Sequence, residues 1–149
     1  VYWHIRRMVI SHDDADDLVQ NTFVNVWKAL PNFREESKLY TWIYRIATNE
    51  TLTFLNNKRK WFFIPIHDIE EELNQKMQDD TYYKGDVIQR KLQQAILTLP
   101  DKQRLVFNMK YFENMKYEDM SEVLKTSVGA LKASYHHAVK KIEDFLTTH

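Results

Sequence analysis

The stretch from Phe33 to Trp61 combines three kinds of side chain that can bind a strand of nucleic acid. Its aromatic rings can stack on unpaired bases, its amides can hydrogen-bond to base edges, and its cations can pair with phosphates. Three of the cations, Lys58, Arg59 and Lys60, stand together at its end. A solvated basic helix end beside core aromatics would contain the same residues, so both interpretations stay open at this point.

Apolar residues in the same stretch recur with the period of a helix. The apolar set, spaced by three, four or seven residues, consists of Leu39, Ile43, Ile46, Ala47 and Phe54. This spacing commits one side of a helix to a core. The other faces keep polar and aromatic residues, namely Tyr40, Thr41, Tyr44, Arg45, Thr48, Asn49 and Asn56.

The composition predicts a helical protein without catalytic chemistry. Only two glycines and three prolines occur in 149 residues, fewer than sheets and nucleotide-binding loops require. The lack of cysteine excludes disulfides, zinc ribbons and thiol catalysis. The six histidines have no metal-ligand spacing with acidic partners, and no glycine-rich phosphate loop or nucleophile motif occurs. We therefore expect neither an enzyme nor a bound metal or cofactor.

The sequence also bears on membrane insertion and on the start of the chain. No apolar run approaches the roughly 20 residues of a membrane span, so no membrane insertion is expected. The chain begins at Val1, without methionine and inside a predicted helix, from which we expect part of the N-terminus to be missing.

Charge is balanced overall but uneven along the chain. The 21 cations and 21 anions cancel. Residues 34–60 hold six cations and three anions, whereas residues 61–86 hold two cations and seven anions. Binding of nucleic acid therefore has to rest on local patches rather than on bulk charge.

A helix is predicted between Ser11, which suits an N-cap, and Pro31, which ends it. Its expected core stripe consists of Ala15, Leu18, Val19, Phe23, Val26, Trp27 and Leu30. The opposite face includes Asp17, Gln20 and Asn21. That face is either a solvated surface or a docking surface for a basic partner.

The second half of the sequence predicts a helix-turn-helix, preceded by an acidic linker at residues 64–84 that can be helical in part. Helices are expected before Pro100, at 101–112 and at 117–124, with Ser127 as N-cap of the last one. In an arrangement of a short helix, a tight turn and a longer helix, the longer helix can enter the major groove of DNA. Helix pairs of this kind are, however, common in helical proteins. The exposed side of the last helix offers small residues first and cations later, namely Gly129, Lys132, Ala133, Ser134, His136, His137, Lys140 and Lys141.

Several segments together resemble the bacterial sigma-70-type factors of the extracytoplasmic-function (ECF) group. The matching segments include DDLVQNTFVNVW at 16–27, YTWIYRIATN at 40–49 and VGALKASYHHAVKK at 128–141. The resemblance covers nearly the whole chain except the linker. It implies an all-α protein of two small helical domains joined by an acidic linker: a region 2 helical bundle at 1–63, the linker at 64–84 and a region 4 helix-turn-helix at 85–149.

The resemblance also implies what the residues do. Such a factor binds core RNA polymerase in the cytoplasm, directs initiation at promoter DNA, and is held by an anti-sigma factor. Polymerase binding falls on Asp17, Gln20 and Asn21. Recognition of the minus-ten element, where a base of the melted strand is held outside the stack, falls on Phe33, Ser37, Tyr40, Tyr44, Arg45 and Asn49. Recognition of the minus-thirty-five element falls on Gly129, Lys132, Ala133, His136 and His137. Phosphate contacts are expected from Lys58, Arg59, Lys60, Lys140 and Lys141.

Some positions depart from the family pattern. Many relatives carry Thr and several Arg where this chain has Ala130, Ser134 and Val139, so its upstream contact should be less cationic or read another sequence. Trp42 suits either a melting wedge or the core, and its neighbour Ile43 favours the core. An alternative function is a degenerate sigma-like module that binds polymerase or an anti-sigma factor without reading DNA.

Overall fold

The computed structural model describes residues 1–35, 38–61, 66–79 and 86–148, without the side chains of 59–61, 66–70, 72 and 79. All regular elements in these ranges are helical, which confirms the predicted all-α fold. In chain order they are α1 (Tyr2–Val9), α2 (His12–Ala29), a 3-10 helix (Leu30–Asn32), α3 (Leu39–Trp61), α4 (Ile66–Asp79), α5 (Val87–Leu97), α6 (Asp101–Tyr111), α7 (Tyr117–Leu124) and α8 (Val128–Thr148). Among the described helices, none is long and apolar enough to cross a membrane.

Local capping explains where α2 and α8 begin. The Ser11 side-chain oxygen accepts a hydrogen bond from the Asp14 backbone N–H at 3.4 Å. The Ser127 side-chain oxygen accepts one from the Ala130 backbone N–H at 3.2 Å. Each bond satisfies a backbone donor that a helix start leaves without an intrahelical partner. Both predicted N-caps are therefore confirmed.

The core stripe predicted for α2 is wrong in its second half. Phe23, Trp27 and Leu30 are 47%, 77% and 43% exposed, while Thr22, which precedes Phe23, is fully buried. Helix α2 contacts α1 and α3, and the part that packs is centred on Ala15, Leu18 and Thr22. Apolar period alone cannot fix which side of a helix its neighbours cover.

Helix α3 is covered on two sides rather than one. It packs against α1 and α2 on one side and against α7 on the other. Thr41, Ala47, Thr48 and Thr51 are buried, whereas Leu39, predicted to lie in the core, is 49% exposed. The threonine hydroxyls are tolerated because they are hydrogen-bonded, as with Thr51, which donates to the Ala47 carbonyl at 2.8 Å.

The first and second halves of the chain share a core. Leu105 of α6 is fully buried in the cluster formed by Ile5, Met8, Leu18, Ala47 and Leu55. Next to it, the buried Arg104 donates from Nη2 to the Met8 carbonyl at 3.1 Å. Burial of a charged side chain requires such partners, so α1 and α6 are held by a specific contact as well as by apolar packing.

The acidic segment between the halves contributes α4. Leu73 and Met77 of this helix are buried in a cluster with Ile10 and Leu97. Lys76 Nζ lies 3.3 Å from the Asp14 carboxylate of α2. The segment predicted as a linker is thus helical over 66–79 and is packed against residues from both halves.

Helices α7 and α8 form the predicted short-helix, turn, long-helix arrangement. Lys125 ends α7 in the left-handed conformation, with φ at 52°, which turns the chain between the two helices. The pair packs on α6 through a cluster that consists of Val106, Met109, Met115, Met120, Val123 and Leu131.

Candidate nucleic-acid interface

Phe33 and Trp42 form an aromatic pair at the entry to α3. Their ring centroids are 4.8 Å apart with an interplanar angle of 44°, and both side chains are half-buried. Trp42 thus packs against Phe33 without being fully buried, so its assignment to the core stays a prediction, and the Phe33 ring keeps a partly open face. Ser37, also predicted to contact the minus-ten element, lies outside the described residues.

A second aromatic series runs along the face of α3 that the sequence left free. The Tyr40 and Tyr44 ring centroids are 4.9 Å apart, and Tyr44 lies 5.0 Å from the ring of His4. Burial, with the nearby Glu113 carboxylate, raises the pKa of Tyr44, so its hydroxyl remains protonated. Tyr40 is exposed and Tyr44 is half-buried, which leaves Tyr40 as the ring open to a ligand.

His4 supports this face from within. Its Nε2 lies 2.8 Å from Thr48 Oγ1 of α3. Complete burial, with the positive charges of the N-terminus and Arg7, lowers the pKa of His4 to about 3. The imidazole is therefore neutral at physiological pH and acts as a hydrogen-bonding core residue.

Polar contacts tie the same face of α3 to α7. The Arg45 Nε and Nη2 donate to the Glu122 carbonyl at 3.1 and 2.8 Å. Thr41 donates to the Glu122 carboxylate at 3.0 Å, and Lys38 pairs with Asp119 at 3.1 Å. We call this set of five residues the closed contact, because it covers a predicted minus-ten residue, Arg45, with the second half of the chain.

A partly buried ion pair lies beside the closed contact. Arg7 of α1 pairs with Glu113 at 3.3 Å, and its guanidinium carbon lies 4.7 Å from the centroid of the Phe112 ring. The Glu113 carboxylate also lies near the Tyr44 hydroxyl and contributes to its raised pKa. Burial raises the pKa of Glu113, although the charge of Arg7 works in the opposite direction. Tyr44 also packs against the apolar cluster of α6, α7 and α8, so it contacts the second half of the chain, as Arg45 does.

Asn49, the predicted reader of a base edge, is exposed on α3. It lines a cleft between α3 and helices α6, α7 and α8, with Arg45 as a neighbour in the lining. At the far end of α3, the Lys58 Nζ lies 6.0 Å from the centroid of the Phe54 ring. The backbone of Arg59 and Lys60 belongs to α3, whereas their side chains lie outside the described residues.

The predicted minus-thirty-five residues share one exposed face of α8. Residues exposed on this face are Gly129, Lys132, Ala133, His136, His137, Lys140 and Lys141. A Cβ placed on Gly129 would meet nothing within 4 Å, so the leading end of the helix is open. Lys132 Nζ lies 5.7 Å from the centroid of the Tyr117 ring. A helix with small residues at its open end and cations behind them can approach base edges while its cations hold phosphates.

The exposed face of α2 is larger than the sequence predicted. Asp17, Gln20 and Asn21 are all exposed, and Val24 and Trp27 continue the same face at helical spacing. Sequence analysis assigned Trp27 to the core and missed it as a surface residue. The signal that could have found it is the register of Ala15, Leu18 and Thr22, whose buried side faces away from Trp27.

Comparison with known proteins identifies the family to which the chain belongs. Residues 1–61 match Sigma-70 region 2, and residues 89–142 match Sigma-70, region 4. The RNA polymerase sigma-H factor of Pseudomonas aeruginosa is 30% identical over 95% of this chain and 78% of its own length. The chain belongs to the sigma-70 family. The ECF RNA polymerase sigma factor SigW of Bacillus subtilis is 29% identical over 91% of this chain and 77% of its own length, which places the chain in the ECF group.

Solved structures share the fold. The sigma factor RpoE, crystallised with the anti-sigma factor NepR from Bartonella quintana, matches with a TM-score of 0.72 at 19% identity, over 98% of this chain and 89% of that one. CnrH, in complex with the cytosolic domain of CnrY, matches with a TM-score of 0.68 at 23% identity, over 99% of this chain and 80% of that one.

Membership in the family gives the chain its function. It is an ECF sigma factor that directs promoter-specific transcription initiation by RNA polymerase. Sigma factors are in general regulators without catalytic activity. The roles of individual residues, and the domain bounds of 1–63, 64–84 and 85–149, stay predictions.

Proposed function

We propose that this sigma factor reads promoter DNA at two separate surfaces, α3 for the melted minus-ten strand and the open face of α8 for the minus-thirty-five duplex. The exposure of Gly129, Lys132, Ala133, His136 and His137 on one face of α8 carries the proposal. Lys140 and Lys141 continue that face and position phosphates.

At the minus-ten surface, the exposed groups differ in their tasks. The open faces of Phe33 and Tyr40 stack on unpaired bases, and the Asn49 amide hydrogen-bonds to a base edge. Ser37, Tyr44 and Arg45 are the other residues that we propose to contact the minus-ten strand. The cationic end of α3, with Lys58, Arg59 and Lys60, positions the phosphates of the same strand.

The closed contact limits when the minus-ten surface is available. Two N–H groups of the Arg45 guanidinium are engaged by the Glu122 carbonyl, and Tyr44 packs against the apolar cluster of α6, α7 and α8. Capture of the melted strand therefore requires α3 to separate from α7. The free factor binds single-stranded minus-ten DNA poorly, and docking on polymerase supplies the free energy for opening.

Docking on core polymerase uses the exposed face of α2. Asp17, Gln20 and Asn21 provide its polar part, and Trp27 provides an apolar anchor that is 77% exposed in the free chain. Exposed tryptophans surrounded by polar residues often dominate the binding energy of an interface.

Two further proposals, on cellular location and on inhibition, rest on membership in the family. The factor works in the cytoplasm, where RNA polymerase meets the chromosome. An anti-sigma factor holds it in an inactive form. The two complexes of RpoE with NepR and of CnrH with CnrY support the second proposal.

Open-complex formation tests the proposed function. Core polymerase reconstituted with this chain should melt specific fragments of the genome, detected by permanganate footprinting, and core polymerase alone should melt none of them. If no fragment were melted, the chain would be a protein-interaction module rather than a promoter reader. Trp27→Ala should reduce polymerase binding without changing which promoters are melted, and Lys91→Ala, at an exposed position of α5, is its control.

A further inference from the structure

A cleft with a volume of about 390 Å³ lies between α3 and the helices α6, α7 and α8. It falls within the range of ligand pockets, which measure about 300–1,000 Å³. One wall, from α3, includes Arg45 and Asn49, and the opposite walls belong to the second half of the chain. The cleft therefore exists only while the two halves are packed together.

The lining combines an apolar floor with a cationic rim. Leu52, Val106, Val123, Leu124 and Leu131 supply aliphatic surface from four different helices. The charged residues among the described lining are Arg45, Lys102 and Lys125, and no carboxylate is among them. Uncompensated positive charge above aliphatic side chains complements a molecule with an acidic head and an apolar body.

We propose that this cleft is a binding site for a small amphipathic anion, a molecule with a carboxylate, phosphate or sulfate head and an alkyl body. The head pairs with Lys102 and Lys125 at the rim, and the alkyl body covers Leu52 and Val123. A nucleobase suits the site less well, because stacking requires an aromatic side chain and the described lining contains none.

Binding at this position links the two halves of the chain. The ligand contacts α3 on one side and α6, α7 and α8 on the other, so it stabilises the closed contact and is released when the halves separate. If Arg45 and Asn49 read the minus-ten element, as proposed above, the same ligand competes with promoter DNA. The competition rests on the proposed function, whereas binding to the cleft does not.

Titration calorimetry with saturated fatty acids tests binding directly, in the absence of DNA and polymerase. The probes are hexanoate, octanoate and decanoate, kept below their micelle-forming concentrations, with 1-octanol as the uncharged control. Each added CH₂ should lower the dissociation constant about fourfold while the cleft has room. Octanoate should bind more tightly than 1-octanol. An affinity that does not depend on chain length, or equal affinity for the alcohol, would overturn the proposal.

Variants of the cleft locate the site. Lys102→Gln with Lys125→Asn should weaken octanoate binding about fivefold and leave 1-octanol unaffected. Asn is chosen because Lys125 has positive φ. Lys28→Gln with Lys91→Gln, at two exposed positions outside the cleft lining, is the control matched in charge. Ala130→Phe, at an exposed position in the lining, should fill the cleft and abolish binding of every probe.

The variants also separate this proposal from promoter recognition. Unchanged octanoate affinity in both cleft variants, each with the wild-type unfolding temperature in the absence of probe, would exclude the cleft as the site. Tight binding of deoxyadenosine monophosphate without binding of octanoate would overturn the proposal of an amphipathic ligand and indicate a pocket for a base. Neither outcome depends on whether the chain initiates transcription.

Discussion

Arg45 and Asn49 lie one helical turn apart on α3, yet their side chains are in different states. Arg45 donates two hydrogen bonds to the Glu122 carbonyl, while Asn49 is exposed in the cleft. An exposed amide can hydrogen-bond to a base edge without first breaking a contact. Asn49 is therefore the residue at which base choice can be tested with little disturbance of the fold.

Asn49→Ala should reduce discrimination at the minus-ten element. Loss of hydrogen bonds to a base edge typically lowers discrimination by about 1–3 kcal/mol, so holoenzyme affinities for the preferred and a substituted minus-ten sequence should converge. Asn56→Ala, at an exposed position farther along α3, is the control. Equal losses on both sequences for Asn49→Ala would contradict its role.

Lys140→Ala should instead weaken DNA binding uniformly across sequences. The slope of log affinity against log salt concentration should fall in magnitude by about one.

Burial of His4 makes stability depend on pH. Its pKa is about 3 in the folded chain, against 6.5 for an unperturbed histidine side chain. As pH falls below 6.5, the unfolded chain takes up a proton at this residue and the folded chain does not. Stability therefore falls with pH through this window, by about 2 kcal/mol between pH 7 and pH 5 from His4 alone.

The variant His4→Gln isolates that contribution. Glutamine can still hydrogen-bond to Thr48 but does not titrate. Urea denaturation should show a loss of stability from pH 7 to pH 5 that is smaller than the wild-type loss by about 2 kcal/mol. Equal losses in both proteins would mean that His4 is accessible to protons in the folded chain.

At the scale of elements, α3 is the helix that both halves of the chain use. The sequence correctly predicted its period and the bounds of α7 at 117–124, because capping and apolar spacing are local signals. It could not predict that α7 would cover Thr41 and Arg45, since that contact joins residues about 80 positions apart. For the same reason Trp27 was assigned to the core: periodicity defines a stripe but not which neighbour covers it.

Reversing charges on α7 should open the closed contact. Asp119→Lys would place a lysine opposite Lys38, and Glu122→Lys would remove the carboxylate that accepts a hydrogen bond from Thr41. The lost contacts and the added positive charge beside Lys38 and Arg45 should cost about 1 kcal/mol after screening at this surface. The free factor should then bind a labelled minus-ten single strand about fivefold more tightly, measured by fluorescence anisotropy.

Added positive charge alone would also raise affinity for DNA, so the comparison needs a variant of equal charge. Glu118→Lys with Asp144→Lys changes two exposed acids and leaves the closed contact intact. If this control gained as much affinity as the α7 variant, the closed contact would not limit access to α3.

At the scale of the whole molecule, the chain behaves as one packed unit in its closed form. The sequence indicated two helical domains and an acidic linker. The family matches at 1–61 and 89–142 follow the same order along the chain. The extent of packing between them was not predictable, because Leu105 has the same local pattern whether it faces its own half or the other. Helix α4, with Leu73 and Met77 buried, adds to that packing.

Unfolding should therefore be cooperative across both halves. All four tryptophans lie in residues 3–61, so their fluorescence reports the first half, whereas circular dichroism reports every helix. The two signals should give one urea transition. Leu105→Ala should lower the urea midpoint seen by both signals equally. It should reduce the free energy of unfolding by about 2–5 kcal/mol, because the cavity opens inside the shared core. A shift in only one signal would show that the halves unfold independently.

Run-off transcription with core polymerase tests the claim that this chain directs initiation through α3 and α8. The templates are one mapped promoter and two derivatives, altered at the minus-ten or the minus-thirty-five element. We predict a transcript with a defined start only when the chain is added, and less transcript from each derivative. No transcript above that of core polymerase alone, or equal transcript from all three templates, would contradict the claim.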